Sequence, residues 1–206
     1  NQGVYTVMTY NDGLSSQDPW YNGVNDKGYN WGPGALDIAA IQYLYGADTS
    51  NKGGNTTYEL SPSMGWGAIW DTGGTDEIVY KGSKDTVINL NAATLDETAT
   101  AGGFLSYVKG ANSYGGFTIA GDFTDALANR NGEVGVIIEN ASGGSGNDKI
   151  TGNRVDNAIK GNGGNDKLYG ENGDDNVRGG GGNDKLYGGA DDDNVRGDNG
   201  NDAVVG

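Results

Sequence analysis

The sequence predicts a mainly β protein: a parallel β-roll preceded by a lead-in of one helix, loops and short strands. Three observations carry this reading. Seven nine-residue units run back to back from Gly143 to Val205, starting at Gly143, Gly152, Gly161, Gly170, Gly179, Gly188 and Gly197. Position 6 of each unit is acidic or its amide (Asp148, Asn157, Asp166, Asp175, Asp184, Asp193, Asp202) and position 8 is aliphatic (Ile150, Ile159, Leu168, Val177, Leu186, Val195, Val204). Residues 1–142 lack this period and read as one helix followed by short strands.

A six-residue Gly/Asn/Asp loop followed by a three-residue strand makes half a turn of a solenoid. Glycine allows positive φ and close backbone approach, so the loop can curl and turn its carbonyls inward. The position-6 carboxylate closes the loop. Carbonyl and carboxylate oxygens together form a hard-oxygen cage that suits Ca²⁺ and not Zn²⁺. The candidate calcium ligands in the roll are Gly144, Gly146 and Asp148; Gly161, Gly163, Gly164 and Asp166; and Gly170, Asn172, Gly173 and Asp175. Further along they are Gly179, Gly180, Gly181, Gly182 and Asp184; Gly188, Gly189, Ala190 and Asp193; and Gly200 and Asp202. Two units complete a turn, so units two apart stack. One edge lines up Asp148, Asp166, Asp184 and Asp202, and the other Asn157, Asp175 and Asp193. An ion between each stacked pair gives five slots. The Asn157 slot is expected to bind weakest, because it loses a charge and Val155 replaces the loop's third glycine.

Position 8 points into the roll. Seven aliphatic side chains are too few to offset the entropy of ordering 63 residues, so the roll is expected to fold only with metal. The repeats carry twelve Asp/Glu against seven Lys/Arg. Outward positions also stack, Lys167 over Lys185, Tyr169 over Tyr187 and Arg178 over Arg196, and read as solvated faces; a sugar-binding tyrosine ladder is the alternative. A disordered Gly/Asp-rich tail would not place an aliphatic at every position 8. Replacing Asp184, which bridges two ions, is expected to harm calcium affinity more than replacing Asn157.

The chain has 206 residues, a net charge of −15, and neither Cys nor His. The acidic balance argues against nucleic acid and anionic membrane surfaces and favours cations. Without cysteines the fold is held by packing and metal. No 18-residue apolar run spans a membrane, and Asn-Gln-Gly-Val-Tyr lacks the features of a signal peptide. Both ends read as the ends of a fragment, since Gly206 is where an eighth unit would begin.

Before the roll, Gly32-Pro33-Gly34, Asp37 and Gly46 bracket a helix over 35–46, with Leu36, Ala40, Ile41, Leu44 and Tyr45 on one face. Short strands are expected at Ala68–Trp70, Glu77–Tyr80, Val87–Leu90, Phe117–Ala120 and Val134–Ile138, forming a twisted cap for the first turn of the roll. The polar stretch Asp122–Glu133 reads as a surface insertion. The organisation expected is thus residues 1–46, then a β-rich lead-in over 47–142, then the roll over 143–206.

The nonapeptide G-G-x-G-x-D-x-U-x, with U aliphatic, is similar to the calcium-binding repeat of RTX proteins. With YTVMTY, DIAAIQYLYG, WDTGGTDEI and IENASGGSGND in order along the chain, the sequence resembles the C-terminal part of a serralysin-type secreted metalloprotease. The stretch at about 97–132 is the least similar. The resemblance implies that 1–46 is the tail of a catalytic domain, in which Met8 is the Met-turn beneath a catalytic zinc and Tyr10 reaches the metal. The family's H-E-x-x-H-x-x-G-x-x-H supplies three imidazoles and a glutamate base. This chain has no histidine, so Zn²⁺ is expected only in a full-length parent and the chain alone should not cut peptides. The resemblance also implies calcium at Asp71, Gly73, Gly74 and Asp76, at Lys52, Gly54 and Thr56, and at Ile137 through its carbonyl and Glu139 through its carboxylate. It implies export through a type I channel to the extracellular space, folding there on calcium, a monomer, and partnership with its own upstream protease domain and, through that, protein substrates. The competing reading is a non-enzymatic RTX adhesion or glycan-binding module with a vestigial Met-turn.

Overall fold

The computed structural model describes residues 34–45, 52–94, 103–110, 115–121 and 136–206. Among the described residues one helix, α1 (Ala35–Tyr45), precedes fourteen strands. The lead-in contributes β1 (Thr57–Glu59), β2 (Trp66–Ile69), β3 (Glu77–Val79), β4 (Thr86–Asn89), β5 (Ser106–Val108), β6 (Gly116–Ile119) and β7 (Asn140–Ser142). The repeats contribute β8 (Lys149–Thr151), β9 (Ala158–Gly163), β10 (Lys167–Asn172), β11 (Asn176–Gly181), β12 (Lys185–Ala190), β13 (Asn194–Asn199) and β14 (Ala203–Val205). They form two sheets, in the orders β1-β3-β7-β9-β11-β13 and β14-β12-β10-β8-β4-β5-β6-β2. Successive units alternate between the sheets, which makes the fold a parallel β-roll.

Alternation along each strand decides which side chains form the core. Position 8 points between the sheets, and Ile150, Ile159, Leu168, Val177 and Leu186 are all 0% exposed. The parallel register stacks them into two apolar columns. One runs Tyr58, Ile78, Ala141, Ile159, Val177, Val195. The other runs Ile88, Ile150, Leu168, Leu186, Val204. Both columns begin in the lead-in, so the solenoid extends upstream of the first recognisable repeat. Its first turns are interrupted by the chain between Leu90 and Ile138, which supplies β5 and β6 and so the antiparallel pairs β4–β5 and β5–β6. Leu168→Ala in calcium is expected to lose about 2–5 kcal/mol in denaturant unfolding. Val204→Ala, at a residue 48% exposed, is expected to lose far less.

Several expectations are corrected. The helix buries Ala35, Asp37, Ile38, Ala39 and Gln42, while Ile41, Leu44 and Tyr45 are exposed; Ala40 is exposed too. ALDIAAIQYLY is apolar nearly all round, so its periodicity carries no direction. Its start is fixed by Asp37, whose carboxylate accepts the Gly34 N–H at 2.9 Å, the back-reaching half of a capping box. Residues 136–138 are not a strand, and pairing resumes only at Asn140. Trp70 lies outside β2, which starts at Trp66. From β9 to β13 the strands are six residues long, because pairing continues through positions 1–3 of the next unit and leaves a three-residue turn. The expected insertion at 122–133 lies outside the described residues.

Candidate metal centres

Two hydrogen-bond ladders run along each edge of the roll, and both start from the loop sequence. At position 6 each backbone N–H donates to the carboxylate one full turn later. Asp148 N reaches Asp166 Oδ1 at 2.8 Å, Asp166 N reaches Asp184 Oδ1 at 2.8 Å and Asp184 N reaches Asp202 Oδ1 at 2.9 Å. On the other edge Asn157 N reaches Asp175 Oδ1 at 2.8 Å and Asp175 N reaches Asp193 Oδ1 at 3.0 Å. At position 5 the ladder runs the opposite way. Asn165 N, Asn183 N and Asn201 N donate to Asn147, Asn165 and Asn183 Oδ1 at 2.7, 2.7 and 2.8 Å. Asp174 N and Asp192 N donate to Asp156 and Asp174 at 2.9 and 3.0 Å. The repeat pattern leaves position 5 open, yet it is Asn or Asp in all seven units, and that regularity is the sequence signal of the second ladder.

The ladders leave one oxygen of each carboxylate over. Asp166, Asp175, Asp184 and Asp193 Oδ2 are buried without a hydrogen-bond partner. An unpaired buried carboxylate oxygen is costly, so four in register need an explanation. Loop conformation supplies part of it. In the units starting at Gly161, Gly170, Gly179, Gly188 and Gly197, position 2 has positive φ (Asn162 75°, Glu171 81°, Gly180 113°, Gly189 132°, Asp198 73°). Position 4 does too (Gly164 103°, Gly173 108°, Gly182 132°, Asp191 81°, Gly200 135°). In the first two units the position-2 N–H instead donates to the position-6 side chain, Gly144 N to Asp148 Oδ2 and Asn153 N to Asn157 Oδ1, both at 2.8 Å.

Position 1 must be glycine for a related reason. A Cβ on Gly161 would stand 2.1 Å from Asp166 Oδ2 and 2.6 Å from the Gly179 carbonyl. On Gly170 it would meet Asp175 Oδ2 at 2.2 Å and the Gly188 carbonyl at 2.4 Å, and on Gly179 it would meet Asp184 Oδ2 at 2.3 Å and the Gly197 carbonyl at 2.7 Å. Each bare glycine face thus opens onto a carboxylate oxygen and a carbonyl from the next turn. This is an all-oxygen donor set, and it fits calcium. Among the described residues no three His, Cys, Asp or Glu side chains converge as a metal-binding group, so an ion here would draw on backbone carbonyls. Burial first, then the neighbouring carboxylates, pushes Asp166 up to about 7 and Asp175 up to about 6. Asp184 is raised by burial as well.

The lead-in continues the same columns. Thr56 N donates to Asp76 Oδ1 and Asp76 N to Glu139 Oε2, both at 2.7 Å, so Asp76 and Glu139 take the place of position 6. Asp76 Oδ2 is a further buried oxygen without a partner, and burial pushes the group up to about 6. The structure brings the two predicted loops together. Gly74, at φ 130°, leaves no room for a side chain against the Gly54 carbonyl, 2.8 Å from its would-be Cβ. Thr75 N donates to Asn55 Oδ1 at 3.0 Å. Asp71 accepts the Thr72 and Gly73 N–H groups through Oδ1 and the Tyr58 hydroxyl, at 2.5 Å, through Oδ2. Lys52 lies over the Tyr58 ring, 4.6 Å from its centroid. Ile137 is half-buried beside Glu139. Met8 and Tyr10 lie outside the described residues. On the outer face Tyr169 and Tyr187 stack at 5.0 Å with planes 10° apart, so each ring covers part of the other's flat face.

The repeats, the roll and the ladders define a calcium-binding RTX β-roll, and the RTX calcium-binding nonapeptide repeat family (four copies) matches residues 142–177 and 169–204. Similarity extends beyond the repeats. The chain is 35% identical over 171 residues to metallopeptidase AprA of Pseudomonas marginalis, covering 76% of this chain and 30% of the relative. It is 32% identical over 170 residues to serralysin of Proteus mirabilis (75% and 28%) and 34% identical over 170 residues to serralysin G of Dickeya chrysanthemi (75% and 29%). The chain is consistent with the C-terminal region of a serralysin-type metalloprotease, and it spans under a third of the length of these curated relatives.

Proposed function

We propose that this chain is the calcium-folded C-terminal portion of a secreted zinc endopeptidase, and that its task is to fold after export and to stabilise the protease domain before it. The observation that carries this reading is the row of buried, unpartnered oxygens at Asp166, Asp175, Asp184 and Asp193. Calcium supplies there the positive charge that the protein does not. Asp166 with Asp184, Asp175 with Asp193, and Asp184 with Asp202 would hold ions together with the facing glycine carbonyls. Asp76, with Glu139, Asp71 and the Gly54 carbonyl near it, would hold one in the lead-in. Low cytosolic calcium would keep the chain unfolded for a type I channel, and millimolar calcium outside would fold it. Met8 and Tyr10 would then lie at the zinc site of the parent. The serralysin relatives favour this reading over an adhesion module, and the mutual stacking of Tyr169 and Tyr187 leaves little open ring for a sugar.

The test is the parent reading frame upstream of Asn1, followed by metal analysis of the purified parent. An H-E-x-x-H-x-x-G-x-x-H segment there, with stoichiometric zinc, is expected. Its absence would end zinc proteolysis as an explanation and leave the roll as a carrier or binding module.

A further inference from the structure

We propose that Asn153 and Asn157 form a metal-free plug in the second repeat, filling with amide groups the slot that calcium takes in later turns. This rests on the calcium reading of those later turns. The two residues are 7% and 3% exposed, and every side-chain N–H of the pair is used. Asn153 Nδ2 donates to the carbonyls of Leu90 at 3.1 Å and Ile138 at 3.0 Å. Asn157 Nδ2 donates to the Glu139 carbonyl at 3.0 Å and to Asn153 Oδ1 at 3.1 Å. Asn153 Oδ1 also accepts the Val155 N–H at 3.2 Å, and Asn157 Oδ1 accepts the Asn153 N–H at 2.8 Å.

Three lead-in carbonyls therefore converge on amide donors, where a cation would otherwise be required. The oxygen of Asn157 that corresponds to the free Asp175 Oδ2 is already bonded. The bare Gly152 face still opens onto Asn157 Oδ1 and the Gly170 carbonyl, but that Oδ1 is held by the Asn153 N–H and the amide N–H groups fill the side of the lead-in carbonyls, so an ion could enter only at the expense of buried hydrogen bonds. The chemistry follows from the amide: a carboxamide presents two N–H donors as well as an oxygen, so it can meet carbonyls that a carboxylate would repel. The facing joint on the other edge is also closed by hydrogen bonds. Asp148 Oδ1 accepts Thr86 N and Oγ1 at 2.7 and 2.8 Å, while its Oδ2 accepts Gly144 N. The consequence is a two-stage molecule. The first two repeats and the lead-in strands bonded to them, β4 and β7, hold together without calcium and present a preformed template, while the ion proposed at Asp76 clamps the lead-in loops outside this part. The turns from Gly161 onward add to that template only as calcium binds.

Hydrogen exchange of the whole 206-residue chain, in excess EGTA and in millimolar calcium, tests this. In EGTA, segments 86–90 and 138–157 are expected to stay protected by roughly a hundredfold or more over segment 176–205, and calcium should protect the latter. Equal, fast exchange of 138–157 and 176–205 in EGTA would overturn the plug. The double variant Asn153→Gly/Asn157→Asp is expected to bind one calcium ion more than the parent sequence and to lose the EGTA protection of 138–157. An unchanged ion count would also overturn it. If the double variant does not fold, the exchange pattern of the parent sequence decides alone. If the parent sequence binds no calcium, the reading of the later turns fails, and protection of 138–157 in EGTA still reports separately on the plug.

Discussion

Removing calcium at neutral pH is expected to melt the roll from Gly161 onward, and acid is expected to restore part of it. Asp166, Asp175 and Asp184 are 2%, 2% and 1% exposed, and each keeps one oxygen with no donor. Without an ion, ionising them inside the roll costs desolvation and mutual repulsion. Their folded-state pKa values, about 7 for Asp166 and about 6 for Asp175, lie above the ordinary 3.8. For such groups the stability contribution is fully present below the ordinary value and is lost as pH rises through the folded one. The metal-free roll should therefore be best ordered near about pH 4 and least ordered above about pH 7. In calcium the dependence reverses, because protons compete with the ion for the same oxygens and affinity falls on acidification. Circular dichroism scanned across this range, in EGTA and in calcium, reads both effects. Strand signal from the repeats that is the same with and without calcium at neutral pH would sink the argument.

The legible part of this molecule was the part that repeats. A strict nine-residue period fixes the position-8 core, the eighteen-residue register and the two carboxylate edges, because every turn must present the same groups to the next. The lead-in turns obey the same physics with degenerate residues. Thr86 stands where Asp is found later, Glu139 and Asp76 stand at position 6, and the spacing between turns is broken by the chain from Leu90 to Ile138. Periodicity could not reveal them; only the pairing of β1 with β3, β3 with β7 and β4 with β8 does. The Asn157 slot was legible as the odd one, since an amide replaces a carboxylate. That Asn153 completes it was not, because the partners lie at Leu90, Ile138 and Glu139, far away in sequence. The helix face is not legible in the sequence because an almost wholly apolar segment has no polar side to mark the other.

Asp184→Ala is the substitution expected to do the most damage, and the reason lies in its three roles. Its Oδ1 is the acceptor for the buried Asp166 N–H, its own N–H anchors Asp202, and its Oδ2 faces the bare side of Gly179. Alanine keeps the backbone donation to Asp202 but orphans the Asp166 N–H, at a cost of about 1–3 kcal/mol. It also removes the shared carboxylate from the slots on either side. Calcium titration by calorimetry should show two ions lost or severely weakened, with a lower unfolding temperature in calcium. Gly179→Ala attacks the same place by the opposite means. It keeps every carboxylate and inserts a methyl 2.3 Å from Asp184 Oδ2 and 2.7 Å from the Gly197 carbonyl, so the oxygens must separate and the slot is filled by carbon. Asn157→Ala breaks the buried amide bonds to Glu139 and Asn153 and should destabilise the chain in EGTA, yet leave the calcium count unchanged. A loss of ions in the first two variants and none in the third would follow from carboxylates as ligands and amides as plug. Equal losses in all three would mean that calcium responds to the stability of the roll as a whole and not to the oxygen set of each turn.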